Sequence, residues 1–286
     1  MRRVTVFITV LLFSGVAQAQ RLHIGLFGGI SNYQGDLVNK IFVKHNTKAA
    51  TGITAHYELT EHWTLRGGFT FTKLTGNDRF NAEALQKRNL SFTTSIPELS
   101  VAGEYATFNL NEKKWTPYLF GGVALFHFDP YTFDGDGNKV FLKPLSTEGQ
   151  GIAGYTNARP YSRAQLALPF GAGIRFAVTD NVRVGLELGV RKLFTDYLDD
   201  VSTAYADAAD LLRERGQAAV DYAYRGDEVP GGNPAYPQKG AQRGGSQQKD
   251  YYYTTGLTVS FRLGGTNRFS SSGHKRKGYG CPASPL

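Results

Sequence analysis

Two histidines, His56 and His127, fall in segments of strand-like alternation and are the side chains best suited to general acid–base chemistry, because an imidazole changes charge near neutral pH. Acyl transfer would also need an activated hydroxyl or thiol, and neither histidine lies in a nucleophile motif such as G-x-S-x-G. The run Asp134-Gly135-Asp136-Gly137-Asn138 places carboxylates at alternate positions, a spacing that can converge on a hard cation. It fails the EF-hand test, since Lys139 stands where that loop needs glycine and Leu145 where it needs a bidentate Glu. A solvated hairpin tip between Tyr131-Thr132-Phe133 and Val140-Phe141-Leu142 is the better reading. Gly25, Gly28 and Gly29 do not make a dinucleotide loop, because no helical pattern follows them. No catalytic, cofactor-binding or metal-ligating residue emerges, and a protein that is not an enzyme is expected.

The remaining charges sit on one parity of alternating segments. Arg66, Arg175, Arg183, Arg191 and Arg262, together with Glu58, Glu98, Glu104 and Glu187, alternate with apolar neighbours and so share one face of their strands. In residues 52–59, Ile53, Ala55, Tyr57 and Leu59 oppose Gly52, Thr54, His56 and Glu58. After a short turn at 60–62, Trp63, Leu65, Gly67, Phe69 and Phe71 resume the apolar set. The pattern is strongest in 165–178 and 182–191, joined by Thr179-Asp180-Asn181; a slip of one residue would turn Arg183, Glu187 and Arg191 to the apolar side. Residues 251–263 set Tyr253, Leu257, Val259 and Phe261 against Thr254, Gly256, Thr258, Ser260 and Arg262. Residues 98–105 alternate well, whereas 115–128 are apolar on both faces and 22–33 are glycine-rich, so their registers stay open.

About eight such segments, each near the roughly 9 to 11 residues that cross a bilayer at a tilt, predict an all-β fold: an up-and-down antiparallel transmembrane barrel of outer-membrane type. Composition agrees, with 41% hydrophobic residues, 13% aromatics and 34 glycines. Beyond the first twenty residues no apolar run approaches the roughly 18 of a membrane helix. A dry soluble core could not satisfy the repeated Arg and Glu, which argues against a lipocalin-like barrel. In a barrel this narrow those charges should pair and close the lumen rather than line a solute channel. Links after the second, fourth and sixth strands are short or moderate and the others long, which predicts periplasmic termini. Trp63, Trp115, Tyr57 and Tyr105 would then mark the periplasmic girdle, and Phe71, Tyr197 and Tyr251 the outer one. Within the longest link, 198–249, residues 203–217 are expected to form a short helix; 231–248, rich in Gly, Pro and Gln, are expected not to pack, leaving a mobile loop.

The two ends of the chain carry different signals. Residues 1–19 read as a signal peptide: a basic start at Arg2-Arg3, an apolar stretch too short to span a bilayer, and Ala17-Gln18-Ala19 before cleavage at Gln20. The barrel should then occupy 20–263. Cys281 is the sole cysteine, so no internal disulfide forms. Residues 264–286 have no strand pattern and carry +4 without an acid, from Arg268, Lys275, Arg276 and Lys277. These four are the candidate partner-binding residues, able to attract anionic lipid, acidic cell-wall polymer or a protein ring, while nucleic acid is implausible in the periplasm.

Several strings are more specific than a generic barrel. Tyr33-Gln34-Gly35-Asp36-Leu37, Arg88-Asn89-Leu90-Ser91-Phe92, Thr116-Pro117-Tyr118-Leu119-Phe120-Gly121-Gly122, Thr147-Glu148-Gly149-Gln150-Gly151 and Phe194-Thr195-Asp196-Tyr197-Leu198-Asp199-Asp200-Val201-Ser202 resemble the PorG-like outer-membrane barrel family of Bacteroidota. Thr254, Gly256, Val259 and Phe261 look like the signal by which barrel-assembly machinery recognises a last strand. The resemblance implies a component of the type IX secretion machinery, associated with a periplasmic ring of a lipoprotein and its partner. A small structural or adhesive barrel without a part in secretion is the alternative. Neither reading brings a cofactor or a small-molecule substrate.

Overall fold

Alternation of β-branched, aromatic and small polar residues builds strands, and in the computed structural model those strands close on themselves. The structure describes residues 21–38, 43–155, 160–245 and 249–264. The proposed leader, Cys281 and the four tail cations Arg268, Lys275, Arg276 and Lys277 lie outside the described residues. Eight strands form the barrel wall: β1 (Leu22–Gln34), β2 (Lys48–Glu58), β3 (Trp63–Asn77), β4 (Ser91–Ala106), β5 (Trp115–His127), β8 (Ala164–Ala177), β9 (Val182–Leu193) and β10 (Tyr251–Leu263). Each pairs antiparallel with its neighbours, and β1 closes on β10 from Leu22↔Leu263 to Gln34↔Tyr251. The expected up-and-down barrel is therefore the fold. A hairpin of β6 (Tyr131–Phe133) and β7 (Lys139–Phe141) extends from one end.

At one end, here the turn end, two links are tight four-residue turns and the third spans residues 107–114. Thr60 Oγ1 accepts from the backbone N–H of His62 (3.3 Å) and Trp63 (3.0 Å). Thr179 does the same for Asn181 (3.2 Å) and Val182 (3.0 Å), so two turns share one side-chain device. All long links gather at the opposite, loop end. They carry α1 (Glu83–Gln86), α2 (Ala208–Arg215) and α3 (Gln217–Ala223).

The two open registers are resolved. On β5, Tyr118, Phe120, Ala124 and Phe126 point inward, while Leu119, Val123 and Leu125 are exposed on the outer face. His127 shares the outward parity and does not face the lumen. On β1, His23, Phe27, Ser31 and Tyr33 are buried and Ile24, Leu26 and Ile30 are exposed. Strands β3 and β4 rise further than the apolar pattern indicates, pairing as far as Asn77↔Ser91. Their upper parts alternate through Thr72, Thr75, Thr93 and Thr94, residues that favour strands without registering as hydrophobic.

The outer wall is apolar, with Leu99 61%, Leu119 63% and Leu186 54% exposed. The buried apolar cluster lies instead at the loop end, where Tyr33, Leu74, Phe92, Ile96, Phe126, Phe128, Leu193 and Leu198 meet. One expectation fails there and another holds only in part. Tyr197 is not on the outer girdle but stacks on Tyr161, ring centroids 5.0 Å apart, because the chain folds over the barrel mouth after β9; Phe194 is the exposed aromatic at that level. The Gly/Pro/Gln-rich stretch is mostly exposed over its described residues 231–245, as expected, but it is held at two places: Tyr236 packs edge-on against Tyr205 and Tyr224, and buried Arg243 anchors it through charged hydrogen bonds.

Candidate functional site

The inward residues of the wall form matched ion pairs stacked along the axis. Nearest the turn end, Arg183 Nη2 lies 2.6 Å from Glu58 Oε1. Arg175 then grips Glu104 bidentately at 2.6 and 2.9 Å. Arg66 grips Glu187 in the same way at 2.5 and 2.9 Å, and Tyr118 donates to the same carboxylate at 2.8 Å. Furthest toward the loops, Arg191 donates to Glu98 at 3.3 Å and to Thr254 Oγ1 at 2.7 Å, while Thr70 and Tyr252 also donate to Glu98. Aromatic faces cover the guanidinium groups: Arg66 lies 4.9 Å from the Phe120 centroid and Arg175 4.4 Å from that of Tyr118. A Cβ on Gly173 would sit 2.4 Å from the Tyr118 ring, so glycine there is what admits the tyrosine.

Each lumen carboxylate singled out in the sequence thus finds one of the singled-out arginines. The fifth arginine, Arg262, instead donates to His23 Nε2 at 3.4 Å. Fork-to-fork pairing of this kind satisfies buried charge where water cannot. At the turn end the lumen opens into a cavity of about 240 Å³ whose inner wall includes Arg175, Arg183 and Glu58 and whose rim is Leu59, Glu61 and residues 108–111.

One lumen group has the order of a catalytic set. His56 Nε2 lies 2.9 Å from Thr54 Oγ1, and its Nδ1 lies 3.6 Å from Glu104 Oε2. Access and geometry both oppose nucleophilic use. The Gly25 main chain is so close that a Cβ there would stand 2.5 Å from Thr54 Oγ1, and Glu104 is already committed to Arg175. Asp134, in the former calcium candidate, accepts from the N–H of Asp136 (3.0 Å) and Asn138 (2.7 Å), as a hairpin tip requires. Among the described residues, no three His, Cys, Asp or Glu side chains are grouped to hold a metal.

A second polar site, not anticipated from the residues, caps the barrel at the loop end. Arg243 donates to Glu148 Oε1 (3.0 Å), to the Asp200 carbonyl (2.6 Å) and to the Ala223 carbonyl (3.1 Å). Glu148 also accepts from Ser202 N, Thr203 N and Thr203 Oγ1. Arg88 holds Asp78 through two bonds of 2.7 Å and reaches the Asp36 carbonyl and that of Arg243. Asp36 in turn accepts from Gly245 N. Asp200, in a left-handed conformation (φ 64°), accepts from Thr147 and Tyr161 at 2.6 and 2.8 Å.

At the centre of the cap the Tyr33 hydroxyl lies 2.6 Å from Asp199 Oδ2 and 2.8 Å from Asp250 Oδ1. A phenol has one proton to give, so it donates to one carboxyl and accepts from the other, which must hold a proton of its own. Burial puts both aspartates well above the usual carboxylate range, and the Asp250 charge raises Asp199 further. Burial also pushes Asp196 and Asp200 up to about 6, the latter against the pull of Arg243.

Four of the five distinctive strings, at 33–37, 88–92, 147–151 and 194–202, supply this cap, while 116–122 supplies Tyr118 and Phe120 to the lumen. A family profile described as "Domain of unknown function (DUF6089)" matches residues 2–214. The chain belongs to the DUF6089 family. The DUF6089 match ends inside α2, so β10 and the cap residues Arg243 and Asp250 lie beyond it. No curated protein matches the sequence. Solved structures similar to this DUF6089 chain include Neisserial surface protein A (11% identity, 84% of this chain and 96% of that one, TM-score 0.40). Others are the outer membrane protein OprG from Pseudomonas aeruginosa (8% identity, 85% and 97%, TM-score 0.41) and Ail, the attachment invasion locus protein of Yersinia pestis (13% identity, 84% and 96%, TM-score 0.38).

Proposed function

We propose that this chain is a non-enzymatic barrel of a bacterial outer membrane, with both termini in the periplasm, that anchors protein-secretion machinery of the type IX kind. The observation that carries the membrane reading is the inversion of the wall, apolar outside and ion-paired inside, which suits lipid around the barrel. Short turns at the end bearing the termini support the orientation. The secretion role rests on the resemblance of the five strings to PorG-like barrels. In this reading residues 1–19 are removed, and Arg268, Lys275, Arg276 and Lys277 engage anionic groups of a periplasmic ring.

Two experiments separate these layers. Leu186→Arg places a cation on the lipid face and should cost roughly 2 to 4 kcal/mol, seen as lost heat-modifiable gel mobility; unchanged mobility would refute a lipid-facing Leu186. Truncation after Leu263 should leave that mobility intact, yet lower recovery of ring components from solubilised membranes and slow secretion. Normal recovery and secretion would remove the tail from the mechanism, and a full chain that recovers no secretion component would favour a structural or adhesive barrel.

A further inference from the structure

The outer face of the barrel carries charge at one end only. Along the outward parity of the eight wall strands, the basic side chains among the described residues are Lys73 on β3, His127 on β5 and Lys192 on β9, and no Asp or Glu occurs there. All three lie at the loop end: Lys73 pairs in register with Ser95, His127 is the last residue of β5, and Lys192 pairs with Tyr251. Strand order puts β3 and β9 four strands apart in either direction, with β5 midway. The lysines therefore stand on opposite walls.

That placement discriminates between partners. A protein docks on one patch, whereas like charges on opposite walls at one height match a medium that surrounds the barrel. Both lysines are exposed, and neither has an ion pair among the described residues. Lys73 follows the exposed Phe69 and Phe71 on its strand, and Lys192 stands in register with Leu168 on one side and Tyr251 on the other. Each methylene stem can thus lie on apolar wall while its ammonium reaches headgroup level. The loop-end carboxylates Asp36, Asp78, Glu148, Asp199 and Asp250 are consumed within the cap, and Asp129, two residues beyond His127, pairs with Arg163 at 3.1 Å.

We propose that the loop-end rim binds the phosphates of anionic lipid headgroups, with Lys73 and Lys192 as the phosphate-contacting groups. This rests on the membrane-spanning reading above. The test is native mass spectrometry of the folded full chain offered equal phosphatidylglycerol and phosphatidylcholine. Wild type should retain phosphatidylglycerol preferentially, and Lys73→Gln/Lys192→Gln should lose about five-fold in that preference per lysine, the factor for a basic residue near an anionic surface. Lys113→Gln/Lys114→Gln, at the turn end, should behave as wild type. Equal preference in wild type and the rim variant, or an equal loss in the turn-end control, would overturn the proposal. Heat-modifiable mobility after reconstitution in phosphatidylcholine alone keeps the two readings apart: a barrel that assembles there without any later preference sinks only the rim, whereas failure to assemble in lipid sinks both.

Discussion

The lumen and the cap are both buried, polar and rich in carboxylates, yet they solve the problem of buried charge in opposite ways. In the lumen every carboxylate faces a guanidinium, two of them through bidentate forks. In the cap, Arg88 and Arg243 serve Asp78 and Glu148, and Asp199 and Asp250 are left to share a phenol and a proton. Matched charge needs a fixed geometry and no proton, while crowded charge needs protons to persist. The wall, whose strands fix side-chain positions by register, can sustain the first arrangement. The cap, assembled from loops, uses the second.

The largest effect should come from unmatching the lumen. Arg66→Met leaves Glu187 buried beside Tyr118 alone and should destabilise the barrel by about 3 to 5 kcal/mol, whereas Arg66→Met/Glu187→Leu should recover most of that loss. Denaturant unfolding of the reconstituted barrel measures both. If the double variant is as unstable as the single, the pair is not the unit that matters. An intermediate effect is expected at Arg243→Met, which strips hydrogen bonds from Glu148 and from the Asp200 and Ala223 carbonyls. Protease should then cut within residues 203–243 while the eight wall strands stay protected. Cleavage in the wall as well would mean that cap and barrel unfold together.

The pH response should separate the two regions further. Carboxyls raised in the folded cap are protonated there at a pH where the unfolded chain, near pKa 3.9, has already released them. Their contribution is full below that ordinary range and is lost as pH rises: through about 6 for Asp196 and Asp200, and higher for the Asp199 and Asp250 pair. Amide exchange in residues 195–205 should therefore quicken with rising pH beyond the intrinsic chemical rate. Asp250→Asn, which keeps an acceptor for Leu198 N but cannot ionise, should flatten that rise. An unchanged pH dependence in the variant would exclude the shared proton.

The wall was legible in the sequence because its information is local. Alternation of Leu186, Glu187 and Leu188 fixes which way each side chain points, and pairing of inward Arg with inward Glu follows from a narrow lumen. What escaped was whatever depended on distance along the chain. Tyr33 meets Asp250 across 217 residues and Asp36 meets Gly245 across 209, and no periodicity encodes such contacts. Composition was right about most of the same region, since the described residues 231–245 are mostly exposed, but it gave no sign that Arg243 would be buried and anchor them by charge. The strings at 33–37, 147–151 and 194–202 held the available signal, an excess of Asp, Tyr and Gly where an ordinary solvated loop has no need of Tyr.

The smallest expected effect tests whether a cap carboxylate must be buried and crowded to matter. Asp207 precedes α2 in an extended conformation, and its side chain accepts from the N–H of Ala209 (2.9 Å) and Asp210 (3.2 Å). This is an N-cap, and it satisfies two of the orphan donors at the start of the helix while water still reaches the carboxylate. Asp207→Ala should cost about 1 kcal/mol, confined to α2, and should show as faster amide exchange at residues 209–211. Because Asp207 does not bond to Asp199, Asp200 or Asp250, the pH-dependent loosening of residues 195–205 should be the same in this variant as in wild type. Asp207→Ser should restore the cap of the helix, since a hydroxyl can accept the same bonds. If Asp207→Ala shifts the pH response of the Asp199 and Asp250 pair, α2 is coupled to the proton-holding centre and the cap behaves as one cooperative body; if only 209–211 respond, the centre around Tyr33 is held by the barrel mouth itself.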